Sequence, residues 1–248
     1  GERVLMQFNV ITLFPEIYDA LDHGLIKKAQ INKLIELNVI NLRDFSLNNS
    51  GQIDDKQFGG EDGMVLQAEP LKNALKSISN SNASLVINFS PQGEILNQQL
   101  VNELSRRNSF VLINGRYEGI DQRFIDKYVH IEISLGDFVL SNGDFASIVF
   151  IDALSRLIKG VAKEENSILN DSFYNGLLKG PVYTRPKSFD GKEVPKVLIS
   201  GNHKKIAEWR MKESLKTTLK KRPELFDKIK LTKKQRKVLE ELQSKLIL

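Results

Sequence analysis

Three short stretches concentrate the residues whose types and spacing suit ligand chemistry. They are Asn88-Phe89-Ser90-Pro91-Gln92-Gly93, Asn114-Gly115-Arg116-Tyr117-Glu118-Gly119 and Ser134-Leu135-Gly136-Asp137-Phe138-Val139-Leu140-Ser141-Asn142-Gly143. Each follows an apolar run of strand type, so each falls at the C-terminal end of an expected strand. Ligands of open α/β sheets bind beyond those ends. Glycine lets the backbone approach a ligand closely, and exposed N–H and C=O groups can read an adenine edge. Each stretch taken alone is also an ordinary strand-to-helix turn; their shared Gly-rich, polar chemistry is what points to a single site.

Other chemistries are excluded by what the chain lacks. It has no cysteine, which removes disulfide scaffolds, thiolate nucleophiles, iron–sulfur clusters and Cys-ligated zinc. His23, His130 and His203 lie too far apart in sequence for a local His-based metal motif. No G-x-G-x-x-G follows the first expected strand, and no H-E-x-x-H or G-x-S-x-G occurs. Gly191-Lys192 is followed by Glu193 and has Pro186 where a phosphate-binding loop needs glycine. No apolar run approaches the ~20 residues that span a bilayer. Pro15, Glu16, Asp19 and Asp22 interrupt the early apolar stretch, so a signal peptide is not expected and the expected compartment is the cytoplasm. Met6 reads as the natural start, with Gly1–Leu5 an extension ahead of it.

The elements that must position these loops follow from periodicity. At 248 residues, with 41% hydrophobic and 27% charged residues, the chain suffices for one large domain or two modest ones. Strands are expected over Gln7–Leu13, Leu34–Leu42, Ser84–Phe89, Phe110–Ile113 and Val129–Ile133. Helices are expected from Phe14-Pro15, over Pro70–Ile78, from Asn97 to about Arg107, over Ile120–Tyr128 and over Asp144–Ile158. Ser46–Leu66 reads as a long polar loop, of the kind that is functional or mobile. This alternation argues for an α/β domain with a mainly parallel sheet. Residues 163–177 read as a flexible linker or lid between a first domain, 1–162, and a second, 178–248. The second is expected to be mostly helical, with amphipathic helices over His203–Lys221 and Lys233–Leu246 and Pro223 between them. Residues 203–248 carry fifteen Lys and Arg against six Asp and Glu, within a whole-chain net charge of +5. A basic end on a mildly acidic body suggests a polyanionic partner, and a Lys-rich solvated helix face is the plainer alternative.

Four motifs, in order and at matching separations, carry a family resemblance. They are Asn114–Asp121 (NGRYEGID), Leu135–Gly143 (LGDFVLSNG), Tyr183-Thr184-Arg185-Pro186 and Ser200-Gly201-Asn202-His203. From about Met6 to the C-terminus the chain closely resembles bacterial tRNA (guanine-N1)-methyltransferases of the SPOUT superfamily. The resemblance implies a deep trefoil knot tied from the three loops, with S-adenosylmethionine bent inside it. The implied cofactor positions are Asn88, Phe89, Ser90, Pro91, Gly115, Tyr117, Glu118, Ser134, Leu135, Gly136, Asp137, Phe138, Val139, Leu140, Asn142 and Gly143. It further implies a homodimer with sites at the subunit interface, and methylation at N1 of the guanosine just 3′ of the tRNA anticodon. Magnesium is implied as a requirement, although no carboxylate cluster in the sequence marks a site.

That reaction needs a base for the N1 proton and a donor for the charge that spreads onto O6. A free carboxylate, with a pKa of about 4, is a weak base and needs shielding or strong alignment. A guanidinium is the natural donor to O6. The family pattern places the base at Asp171 and the guanidinium at Arg156, with Glu118 in the cofactor and active-site network. Without the resemblance, Asp171 is a helix N-cap, Arg156 a surface residue and Glu118 a turn residue. The basic end is expected to grip the tRNA anticodon arm through Lys204, Lys205, Arg210, Lys212, Lys216, Lys220 and Lys221, with Asn202 and His203 at the entry of the helix. Trp209 reads as core packing rather than as a stacking platform.

Three segments depart from the family pattern: Gly59-Gly60-Glu61-Asp62-Gly63-Met64 introduces two carboxylates, Leu47–Gln52 lacks the usual His and Arg, and Asn142-Gly143-Asp144-Phe145 replaces a Gly-Gly-Glu-Leu type segment. They put tRNA contacts from the 46–66 loop and local cofactor contacts in question. Competing readings are a related knotted methyltransferase acting on another RNA site and a knotted RNA-binding protein without methyl transfer.

Overall fold

The computed structural model describes residues 5–161 and 171–244. The chain divides into two compact units, Gly1–Lys163 and Glu164–Leu248. The first is built on a five-stranded sheet of β1 (Met6–Thr12), β2 (Ile35–Asn41), β5 (Leu85–Ile95), β6 (Ser109–Asn114) and β7 (Ile131–Ser134). The order is β2-β1-β6-β5-β7 and every neighbouring pair is parallel. A parallel sheet needs both faces covered, and the alternation along each strand supplies two apolar faces. Phe8, Val10, Ile87, Phe110, Leu112 and Ile133 point to one side, against α1 (Gly24–Ile31), α3 (Gln98–Leu104) and α5 (Asp144–Ser155). Ile11, Val86, Val111 and Ile113 point to the other, with α2 (Ala68–Ser77) and α4 (Gln122–Tyr128). Aromatic contacts fix α5 to its face: Phe110 meets Phe8 and Phe150 at ring centroids of 5.5 and 5.6 Å, and Phe89 meets Phe150 at 5.8 Å.

Several expected boundaries change. The helix opened by Pro15 is a 3-10 helix, Pro15–Leu21. The Asp121 side chain accepts from the Arg123 N–H and starts α4 at Gln122 rather than Ile120. Within the expected 46–66 loop lies a hairpin, β3 (Asp54–Lys56) with β4 (Met64–Leu66). Three-residue strands are too short to produce a periodic signal.

The largest change is at β5, which does not end at Phe89. It bulges through Ser90–Gly93 and resumes on the same neighbour, so that Phe89 and Glu94 both face Ile133 and Ile95 faces Ser134. The tail of β5 thus crosses β7 at very close range. A Cβ on Gly93 would lie 2.4 Å from the backbone of Glu132 and Ile133, and backbone cannot yield as a side-chain tip can. Gly93→Ala is therefore expected to destabilise the protein by about 1–3 kcal/mol, the scale of overpacking. Chemical denaturation checks this, and an unchanged midpoint would show that the crossing can part.

The second unit holds α6 (His203–Lys221), α7 (Lys233–Ser244), 3-10 turns at Lys196–Ile199 and Pro223–Lys228, and a two-residue hairpin, β8 (Ser188–Phe189) with β9 (Lys192–Glu193). Residues 163–170 of the expected linker lie outside the described residues. Its remainder is a turn knit to itself. Phe173 N–H donates to Leu177 O at 2.7 Å, and Lys179 N–H to Ser172 Oγ at 3.0 Å. The turn is anchored to α6, where Leu178 N–H donates to Thr218 Oγ1 and Ser214 Oγ donates to Leu178 O. Among the described residues no helix is long and apolar enough to cross a membrane.

Candidate functional site

A cavity of about 390 Å³ lies against the bulged middle of β5 and beyond the C-terminal ends of β6 and β7. Its walls come from all three loops singled out by sequence. Asn88, Phe89, Ser90 and Pro91 line it from β5, Gly115, Tyr117 and Glu118 from the loop after β6, and Ser134, Leu135, Phe138, Val139, Leu140, Asn142 and Gly143 from the loop after β7. Gly136 and Asp137 do not line it. They form a turn in which Ser134 Oγ accepts from the Gly136 N–H at 3.1 Å.

The loops are held by hydrogen bonds that local sequence does not announce. The second and third are sewn together, with the Gly143 N–H donating to Gly115 O at 2.9 Å and Arg116 bridging Asn142. The second is also stitched to β4: Glu118 N–H donates to Met64 O, Leu66 N–H to Gly119 O and Asp121 N–H to Leu66 O, each at 3.0 Å. Gly63, at φ +110°, passes against the Glu118 side chain, where an added Cβ would meet Cγ at 2.4 Å. The hairpin therefore sets where the Glu118 carboxylate stands. Glu61 and Asp62, the two carboxylates that depart from the family pattern in this segment, occupy the exposed turn between β3 and β4. Tyr117 takes a left-handed backbone, φ +61°, a cost of about 1–2 kcal/mol that the flanking stitches sustain. The Arg116 guanidinium lies over the Phe14 ring at 4.6 Å and the Tyr117 ring at 5.3 Å.

Two charged lining residues were not selected from sequence. Arg116 sits inside the quoted second loop. Glu132, whose carboxylate accepts from Asn88 Nδ2 at 2.8 Å, is the single acid within the apolar Ile131–Ser134 strand. A charge interrupting a buried strand was the available signal.

Beneath the loops lies a buried polar network spanning distant parts of the chain. Thr12 Oγ1 and Tyr18 OH both donate to Asp144 Oδ1, at 2.6 and 2.9 Å. Asn114 Nδ2 donates to Ile11 O and Tyr18 OH, and Ser147 Oγ donates to Asn114 Oδ1 at 2.6 Å. Asp144 is 2% exposed, and burial raises its pKa above the ordinary carboxylate value, while the Thr12 and Tyr18 hydrogen bonds pull it down. Burial, then the charge of Asp144, raises the Tyr18 phenol far above its ordinary range. For Asp144 the native state holds its proton to higher pH than the unfolded chain does. Its contribution to stability is thus greatest below the unfolded value and falls as pH rises through the raised folded value. Asparagine at 144 can keep its carbonyl oxygen in the same place, accept both hydroxyls and bury no charge. Asp144→Asn is expected to raise the denaturation midpoint above that of wild type at neutral pH, with the difference shrinking as pH falls towards the ordinary carboxylate value of about 4. Denaturant melts across pH check this, and a lowered midpoint at neutral pH would show that the network needs the carboxylate.

Of the other expected site residues, Arg156 belongs to the first unit and the rest to the second. Arg156 is exposed at the C-terminal end of α5, its N–H donating to Asp152 O, and does not line the cavity. Asp171 belongs to the second unit, on the turn anchored to α6, with Lys179 Nζ 3.5 Å from its carboxylate. Asn202 caps α6 by accepting from the Lys205 N–H at 3.1 Å, which gives its side chain a structural task. His203, Lys204, Lys205, Arg210 and Lys212 are exposed along α6. Trp209 is not in a core: it is half-buried beside Tyr183, because the buried positions of α6 are Leu215 and Thr218. Among the described residues no group of three or more His, Asp or Glu side chains could hold a metal ion.

Comparison with known proteins places these features in context. The profile of a family described as tRNA (Guanine-1)-methyltransferase TrmD matches residues 6–228. A tRNA (guanine-N(1)-)-methyltransferase of Clostridium perfringens (strain SM101 / Type A) is 45% identical over 234 residues, 94% of this chain and 99% of that protein. Proteins of the same description from Clostridium botulinum (strain Loch Maree / Type A3) and Clostridium tetani (strain Massachusetts / E88) are each 43% identical. They cover 97% and 94% of this chain, and 100% and 97% of their own lengths.

Proposed function

The chain belongs to the tRNA (guanine-N1)-methyltransferase family, and from that premise we propose that it moves a methyl group from S-adenosylmethionine to N1 of the guanosine immediately 3′ of the anticodon. It is a methyl-transferring enzyme of tRNA, and its expected place of action is the cytoplasm. The observation that carries the reading is near-full-length identity to relatives of that one description. The cavity supports it. Its volume suits a nucleoside-sized ligand, Ile133, Leu135, Phe138 and Leu140 offer apolar cover for a purine, and Glu118 and Glu132 offer acceptors for an ammonium group and hydroxyls.

The three loops would hold the donor, which when bound supplies an electrophilic methyl group. Asp171 accepts the N1 proton of guanine. Arg156 donates to O6 as negative charge develops there. Glu118, positioned by the hairpin at Gly63, would hold the polar end of the donor, leaving its methyl group free to face N1 and its thioether to depart. The β5 tail crossing β7, together with the stitches between the second and third loops, supports a trefoil knot here. Residues 178–248 would hold the anticodon arm.

The enzyme works as a homodimer with each site shared between subunits. In support, Phe145 and Val149, one turn apart on α5, and Phe138 and Val139 in the cavity-lining loop are exposed apolar side chains, the kind of surface a partner covers. The decisive assay is methyl transfer from labelled S-adenosylmethionine to unmodified tRNA, followed by nucleoside analysis. N1-methylguanosine is expected; label on a ribose or on another base would overturn the reading.

A further inference from the structure

The second unit carries an aromatic pair that neither the fold nor the chemistry above uses. Tyr183, on the segment before β8, is 49% exposed, and its ring centroid lies 6.2 Å from that of half-buried Trp209 on α6, with the planes tilted by 55°. Rings so tilted do not cover each other's faces. Trp209 is flanked on its own helix by Lys205, four residues before it, and Lys212, three after, with Lys216 one turn beyond; all three lysines are exposed. Residues at those spacings share a helix face. The nearby acids are engaged: Glu208 binds Lys234 at 2.7 Å, and Glu213 faces Lys216 at 4.0 Å.

Exposed Tyr183 beside a half-buried Trp209 is poorly placed for a purely structural contact, because aromatic area left in water forgoes its burial energy. An aromatic pair set among cations is instead the composition of surfaces that stack bases while tracking a phosphate backbone. We propose that Tyr183 and Trp209 form a stacking platform for one unpaired base of the anticodon loop, with Lys205 and Lys212 on the adjoining phosphates. The occupant is RNA rather than an apolar peptide because the surrounding charge is positive, with fifteen Lys and Arg against six Asp and Glu over residues 203–248. This rests on the reading of the chain as a tRNA methyltransferase and adds to it a means of gripping the loop beside the reacting guanosine.

The chain has one tryptophan, so its emission reports on this site alone. Unmodified tRNA transcript is titrated into the full protein, with binding followed independently by filter retention. Emission is expected to be quenched in step with binding. Trp209→Leu and Tyr183→Ala are expected to raise KM for tRNA roughly tenfold or more, the scale of one stacked base. In both, kcat and affinity for S-adenosylmethionine stay near wild type, and Trp209→Phe retains most of the tRNA affinity. Bound tRNA that leaves the emission unchanged would overturn the platform, as would Trp209→Leu and Tyr183→Ala variants with wild-type KM. Wild-type protein that neither binds nor methylates tRNA overturns the parent reading itself, and the platform with it.

Discussion

Asp171→Asn is expected to leave affinity for S-adenosylmethionine within a few fold of wild type and to lower turnover by roughly two orders of magnitude or more, the scale of a lost general base. The two halves of this result have separate causes. The cavity is lined wholly by residues of the first unit, whereas Asp171 stands on the 171–179 turn of the second, anchored through Leu178 to Thr218 and Ser214 of α6. Asparagine is isosteric and leaves those anchors intact, so under the proposed role what is removed is the ability to take the N1 proton. Single-turnover methyl transfer separates chemistry from tRNA binding, and calorimetry gives the donor affinity. Near-normal turnover would remove Asp171 from the role of base. A loss confined to tRNA affinity would reassign it, together with Lys179 at 3.5 Å, to RNA binding.

Mixing two inactive variants is expected to restore activity. Glu118→Ala damages the cavity side of a site and Asp171→Ala the base side. If Asp171 of one subunit serves the cavity of the other, a heterodimer holds one site with both defects and one with neither. Activity of an equimolar mixture should then rise from near zero to about a quarter of wild type. Half of the dimers are mixed under random exchange, and half of the sites in those are intact. The chain permits such sharing, since the nine residues between Val161 and Asp171 span about 30 Å when extended. If mass spectrometry shows subunit exchange and activity does not return, each site is self-contained.

Much of this enzyme was legible in its residues. The parallel α/β class followed from apolar strands alternating with helices. The three stretches stood out because Gly-rich, polar composition follows apolar runs, and all three meet at one cavity, the first from a bulge within β5 and the other two from beyond strand ends. The motifs NGRYEGID and LGDFVLSNG pointed to the family that residues 6–228 match. These are local signals, carried by residues near one another in the chain.

What tertiary structure alone decided rests on contacts between distant residues. β5 runs past Phe89 because Glu94 and Ile95 find hydrogen-bonding partners on β7, and Gly93 is needed because two backbones meet there. The β3–β4 hairpin is held by partners in the 118–121 loop, more than fifty residues on, so its three-residue strands read as loop in isolation. Asp144 looked like a departure from a family segment. Its task, accepting hydroxyls from Thr12 and Tyr18, appears only when residues over a hundred positions apart are brought together. Trp209 looked like a core residue because tryptophan usually is one, but the packing of α6 turned Leu215 and Thr218 inward instead. In each case composition constrained what a segment could do, and the partner it met after folding determined which of those possibilities was taken.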